Sequence, residues 1–70
     1  MTHEEFAKEL FATFARRAEE EGINPNNENI GLILASMMAA HYVAMGRDPV
    51  TRTRLKRYVR SALYMADQTR

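Results

Sequence analysis

The side chains that could act as nucleophile and base are few in this sequence and poorly placed for catalysis. There is no cysteine, and neither Ser36 nor Ser61 has a histidine three or four positions away, where one helical turn would bring them together. Covalent catalysis needs a base within hydrogen-bond reach of the nucleophile. His41 lies five residues from Ser36 in an apolar segment, and we interpret it as a hydrogen-bonded core or interface group. We therefore expect no catalytic residues and no enzyme.

Metal and cofactor binding are equally poorly supported. His3 and His41 belong to different segments, and Glu4 and Glu5 stand where the first helix starts. Around His41 there is no second His, Asp or Glu at the spacing of three or four that would pair ligands on a helix. The three glycines are isolated from one another, so no glycine-rich phosphate loop is present. The sequence predicts no metal site and no cofactor.

One stretch has the composition of a charged binding surface. Between Arg52 and Arg60 there are five lysines and arginines and no acid. Three of them recur at every fourth residue, so on a helix they form one ridge with a fourth alongside. We call this set the basic ridge: Arg52, Lys56, Arg57 and Arg60. It predicts a partner-binding surface. A nucleic acid is the alternative partner, since such a stripe binds phosphates, although few side chains suited to reading bases accompany it.

The segment Ile30–Met45 is the most apolar part of the chain. No charged residue occurs from Asn29 to Gly46, and on a helix the apolar side chains point in all directions. A helix that is apolar all round is buried on every side. Only about two further helices are available to cover it, so the remaining side should meet a second copy. The predicted homodimer interface uses the side with the smaller groups: Leu32, Ala35, Ala39 and Val43.

Local signals define three helices, near residues 3–21, 28–45 and 49–66. Thr2 and Glu5 match a capping box, and Asp48 followed by proline marks the third start. Gly22 and Gly46 suit the left-handed residue that ends a helix, with Ile23 folding back on Ala18. The second helix can start at Asn24, Asn26 or Asn27, and we favour the later starts because consecutive asparagines are poor helix interior.

The two outer helices each carry one apolar stripe for the core. On the first helix, α1, predicted near residues 3–21, the α1 stripe comprises Phe6, Ala7, Leu10, Phe11, Phe14, Ala15 and Ala18. On the third helix, α3, predicted near residues 49–66, the α3 stripe comprises Leu55, Val59, Ala62, Leu63 and Ala66. Both follow the three-and-four spacing of one helix side. The sequence therefore predicts an all-α fold, a small antiparallel three-helix bundle forming a single domain over residues 1–70, with its central helix buried.

Length and charge limit the function further. The apolar run has 16 residues, short of the roughly 20 that span a bilayer. The absence of cysteine fits a reducing compartment, so we expect a cytoplasmic protein without membrane attachment. Residues 1–28 hold seven acids and three bases (−4), whereas residues 47–70 hold two acids and seven bases (+5). The resulting hypothesis is a small, homodimeric interaction protein that regulates or inhibits a protein partner. The alternative is a small basic DNA- or RNA-binding protein using the third helix.

Overall fold

A computed structural model describes residues 1–69 of the chain, and in them the only regular structure is three α-helices. These are α1 (His3–Glu20), α2 (Asn27–Ala44) and α3 (Pro49–Gln68). The all-α, three-helix prediction is confirmed. The first two helices match their predicted bounds to within one residue, and α3 continues two residues further than predicted.

The helix starts follow from short polar side chains. Thr2 Oγ1 accepts a hydrogen bond from the Glu5 amide at 3.1 Å. Asp48 Oδ1 accepts one from the Val50 amide at 3.0 Å, with proline in the first turn. The start of α2 falls at the later asparagines, because Asn26 Oδ1 accepts from the Asn29 amide at 2.8 Å. Each of these bonds satisfies an amide that the helix itself leaves without a partner.

Two helices end in Schellman motifs. After α1, Ile23 N donates to Ala18 O at 2.9 Å and Gly22 N donates to Glu19 O at 3.0 Å. After α2 the same pattern recurs, with Arg47 N donating to Tyr42 O and Gly46 N donating to Val43 O, both at 3.0 Å. Gly22 and Gly46 have φ values of 78° and 73°, as the motif requires. These turns set where the chain leaves each helix.

The chain divides into two compact units, residues 1–34 and the residues from 35 onward. The first contains α1 and the N-terminal half of α2, and the second contains the C-terminal half of α2 and α3. The expectation of a single domain stays a prediction.

The burial predicted for α2 is not confirmed. No residue of α2 is buried in the chain, and Ala18 of α1, 7% exposed, is the one buried apolar residue among those described. The physical reason is that a helix pair covers only one seam on each helix. Within its own unit, each half of α2 meets a single neighbouring helix. The neighbouring helix in each unit therefore covers only part of the apolar surface of α2, and the rest stays exposed.

Candidate interaction surfaces

The α1 stripe is covered only at its C-terminal end. Ala18 is buried and Phe14 and Ala15 are half-buried, while Ile30 and Ile33 of α2 are half-buried in the same unit. The two helices therefore meet near the loop that joins them. The N-terminal part of the stripe lies open: Phe11 is 50% exposed although its ring stacks on Phe14 with centroids 6.2 Å apart. We call this the exposed half of the α1 stripe: Phe6, Ala7, Leu10 and Phe11.

The α3 stripe shows the same asymmetry in the second unit. Thr51 and Leu55 in the first turns of α3 are half-buried, as are Met38 and Tyr42 of α2. Beyond Leu55, every side chain of α3 is exposed. We call the remainder the exposed half of the α3 stripe: Val59, Ala62, Leu63 and Ala66. In both units the apolar spacing continues beyond the covered residues, for about two turns toward the N-terminus of α1 and for about three turns toward the C-terminus of α3.

The predicted dimer interface lies on accessible surface. Leu32 in the first unit and Ala35, Ala39 and Val43 in the second are all exposed in the single chain. They follow one another along the continuous helix α2 at spacings of three and four, so they share one side of it. This side is available to a second copy, and the homodimer stays a prediction.

Gly31 gives a direct test of how closely a second helix approaches α2. A Cβ added there would meet nothing within 4 Å, and its backbone does not need glycine. Gly31→Ala should therefore raise the free energy of unfolding by about 0.5–1 kcal/mol, from helix propensity alone. Urea unfolding at matched chain concentration measures it. Gly22→Ala, at φ 78°, is the control and should destabilise. A loss of stability in Gly31→Ala would instead place another backbone against this glycine.

The basic ridge is exposed, and aromatic rings hold part of it. The Arg52 guanidinium lies 6.0 Å from the centroid of the Tyr42 ring, and that of Arg57 lies 5.7 Å from the Tyr58 ring. Lys56 and Arg60 have no partner of this kind. Within residues 1–69, no lysine or arginine of α3 pairs with a carboxylate. The Arg52–Tyr42 contact joins α2 to α3, so Arg52 has a structural role that sequence spacing did not reveal.

A shallow concavity of about 390 Å³ adjoins this surface on α3. It is lined by Pro49, Val50, Thr53, Arg54 and Arg57. The site is open to solvent and combines two guanidinium groups with apolar side chains. A surface of this kind is suited to a protruding side chain with a carboxylate or with both polar and apolar parts. It is too shallow to enclose a small molecule, which needs a deeper pocket.

The acidic side chains of α1 are paired locally or not at all. Arg17 bridges Glu20 at 2.9 Å and Glu21 at 2.7 Å, and Lys8 lies 3.6 Å from Glu4. These are exposed pairs one turn apart, which add only about 0.3–0.5 kcal/mol each. Glu5 and Glu9 form no ion pair within the described residues. The N-terminal half of α1 therefore presents unpaired negative charge beside its apolar side chains.

The residues considered for catalysis do not converge. His41 is exposed, in contrast to its expected burial, because it lies on a part of α2 that α3 leaves uncovered. No three His, Asp or Glu side chains come together in residues 1–69 in a way that could hold a metal ion. In the same residues no helix is long and apolar enough to cross a bilayer. The expectation that the protein is not an enzyme stays a prediction.

Comparisons with known proteins give no assignment. No protein-family model, no curated protein and no solved structure matches the chain.

Proposed function

We propose that this chain is a small, non-enzymatic interaction protein that regulates or inhibits another protein by occupying its surface. The observation that carries the proposal is the number of large apolar side chains left exposed on all three helices. Soluble monomers seldom expose contiguous apolar patches of more than a few hundred Å², and larger ones mark interaction sites. The location proposed for this activity is the cytoplasm, in keeping with the absence of cysteine.

The first part of the proposal is a homodimer through α2. Ala35 and Ala39 carry the smallest side chains on the interface side, so two helix axes can approach closely there. Leu32 and Val43 stand at either end of them and add apolar area, and both are about half exposed in the single chain. A two-fold axis would bring each of these residues against the same patch of the second copy, as most homodimers do.

The second part of the proposal concerns the basic ridge as the surface for the regulated partner. Lys56, Arg57 and Arg60 are exposed, and no carboxylate in the described part of the chain, residues 1–69, pairs with them. Arginine is among the residues most often responsible for binding energy at protein interfaces. An acidic protein surface is the partner chemistry that fits.

A second candidate function, binding of DNA or RNA, has one specific observation in its favour. The five cations from Arg52 to Arg60 lie on one exposed helix without a neighbouring acid. Binding of this kind releases counterions, so its affinity falls steeply with salt. Titration with a nucleic acid duplex at two salt concentrations separates the candidates, because a protein interface with an apolar centre loses much less affinity.

The experiment for the proposed function is the double substitution Arg57→Ala with Arg60→Ala. Wild-type protein first captures its partner from the native host, and mass spectrometry identifies it. The purified partner is then titrated with wild type and variant. Interface arginines cost about 2 kcal/mol or more on truncation, so the variant should bind at least about 30-fold more weakly. Its melting temperature should hardly change, because exposed cations contribute little to stability.

The matched control removes two positive charges elsewhere. Lys8→Ala with Arg16→Ala changes the net charge by the same amount, on α1, at residues that do not belong to the basic ridge. This control should bind the partner normally. Unchanged binding by the ridge variant together with a collapsed melting temperature would make the ridge structural. If the captured partner is a nucleic acid, and the ridge variant no longer binds it, the second candidate function replaces the first.

A further inference from the structure

Two apolar surfaces of the chain remain largely exposed to solvent: the exposed half of the α1 stripe and the exposed half of the α3 stripe. We infer that these two surfaces dock on each other between copies, α1 of one chain against α3 of the other. The inference rests on the proposed homodimer and deepens it. It assigns a second interface, separate from α2, that each dimer would form twice.

The apolar side chains of the two surfaces are suited to each other. The α1 surface offers Phe6, Leu10 and Phe11, and the α3 surface offers Val59 and Leu63 beside two alanines. Large rings on one helix thus meet a surface with small residues on the other, which is the way interdigitated helices fill space. Leaving both in water would forgo the burial that stabilises small domains.

Charge complementarity selects a second copy as the occupant. Residues 3–13 of α1 contain three acids and one base, a formal charge of −2. Residues 56–66 of α3 contain three bases and no acid, a charge of +3. Two α1 surfaces or two α3 surfaces would bring like charges together, whereas α1 against α3 brings opposite charges together. Within residues 1–69, Glu5 and Glu9 form no ion pair, and neither does Lys56.

An antiparallel α2 dimer would place α1 of one chain and α3 of the other at the same end of the dimer. A two-fold axis perpendicular to α2 makes the two central helices antiparallel, so the N-terminal half of one lies beside the C-terminal half of the other. In each chain the N-terminal half of α2 belongs with α1, and the C-terminal half contacts α3 through Tyr42 and Arg52. Each end of the dimer therefore receives one α1 and the α3 of the other chain.

Cross-linking between chains tests the inference, because the protein has no cysteine of its own. Ala7→Cys and Ala62→Cys each place one thiol on one of the two surfaces by a small change. The two full-length variants are mixed, one of them carrying a tag that distinguishes its mass, and treated with a short bismaleimide. Thiols held side by side react at an effective concentration on the order of mM, about 100-fold above free encounter at tens of µM. We therefore expect cross-linked heterodimer to form about 100-fold faster than from thiols that meet only by free encounter.

The control pair is Ala12→Cys with Ser61→Cys, which lie on the same helices but off the stripes. Leu10→Cys with Ala66→Cys repeats the test in case the first pair folds poorly, as judged by circular dichroism. Sedimentation equilibrium gives the mass of each sample, and Ala39→Cys reports whether two α2 helices meet.

The outcomes separate this inference from the proposed homodimer. A dimer whose Ala39→Cys chains link to each other, while the α1–α3 pair reacts no faster than its control, overturns the inference and leaves the homodimer. A monomer at tens of µM overturns both. A link that forms only inside one chain carrying both Ala7→Cys and Ala62→Cys also overturns it, because the two stripes then meet within the chain.

Discussion

An arginine in place of Ala39 should convert the proposed homodimer into monomer. The new side chain would carry its charge into the centre of the α2 interface, between Ala35 and Val43. An uncompensated charge at a buried interface costs about 3–5 kcal/mol. A dimer with an affinity in the tens of µM is held by only about 6–7 kcal/mol. The dissociation constant should therefore rise by at least about 100-fold, far above practical concentrations.

Sedimentation equilibrium or light scattering over a range of chain concentrations measures this change. The control is Ala12→Arg, the same substitution on a side of α1 that neither proposed interface uses. It should remain dimeric. The variant should also melt at a lower temperature, and at one that no longer depends on concentration. An Ala39→Arg protein that stays dimeric would show that the second copy binds elsewhere.

The helix bounds were predictable because the signals that set them are local. Asp48 contacts an amide two residues away, and Asn26 contacts one three residues away. The return from Ile23 to Ala18 was likewise predictable from the single glycine between them in the C′ position. None of these interactions depends on which other helix is nearby, so the order of residues along the chain is enough to specify them.

The coverage of the helices could not be predicted in the same way. Leu55 and Leu63 both belong to the α3 stripe by spacing, yet Leu55 is half-buried and Leu63 is 62% exposed. Periodicity identifies the side of a helix that seeks apolar contact. It does not say which molecule supplies that contact, or how far along the helix the contact extends. For this reason the predicted burial of the central helix is not confirmed in the single chain.

For the basic ridge, the sequence predicted the exposure of its side chains but not the contact that Arg52 makes with α2. The spacing of Arg52, Lys56 and Arg60 correctly placed them on exposed helix surface. The contact of Arg52 with Tyr42 depends on the turn through Gly46 and Arg47, which determines where α3 starts relative to the end of α2. Spacing within α3 alone could not reveal it.

The two proposed interfaces make different demands on the chain. The α2 interface relies on small side chains and close helix approach, so it is sensitive to added bulk. The interface between α1 and α3 relies on large side chains and opposite charge, so it is sensitive to truncation and to charge reversal. The part of the basic ridge that borders the α3 stripe, Lys56, would then serve the dimer, and Arg57 would serve the external partner.

Two neighbouring residues of α3 should respond very differently to truncation. Leu63 and Tyr64 are almost equally exposed in the single chain, at 62% and 65%. Leu63 lies on the α3 stripe. Tyr64 follows it in sequence, about 100° further round the helix, and lies on the side opposite the centre of the stripe. If α1 of a second copy covers the stripe, Leu63→Ala leaves a cavity and should cost about 2–4 kcal/mol. Tyr64→Ala changes surface only and should cost within about 0.5 kcal/mol.

Urea unfolding of both variants at several chain concentrations measures the difference, since dimer stability depends on concentration. Phe11→Ala combined with Leu63→Ala should cost less than the sum of the two single changes, because both remove the same contact. Exposure in the single chain would predict two small and similar effects, since loss of solvent-accessible atoms removes few packing contacts. Similar small costs for Leu63→Ala and Tyr64→Ala would therefore mean that the α3 stripe faces water. A large cost confined to Leu63 that also depends on chain concentration is the result expected if another copy covers this residue.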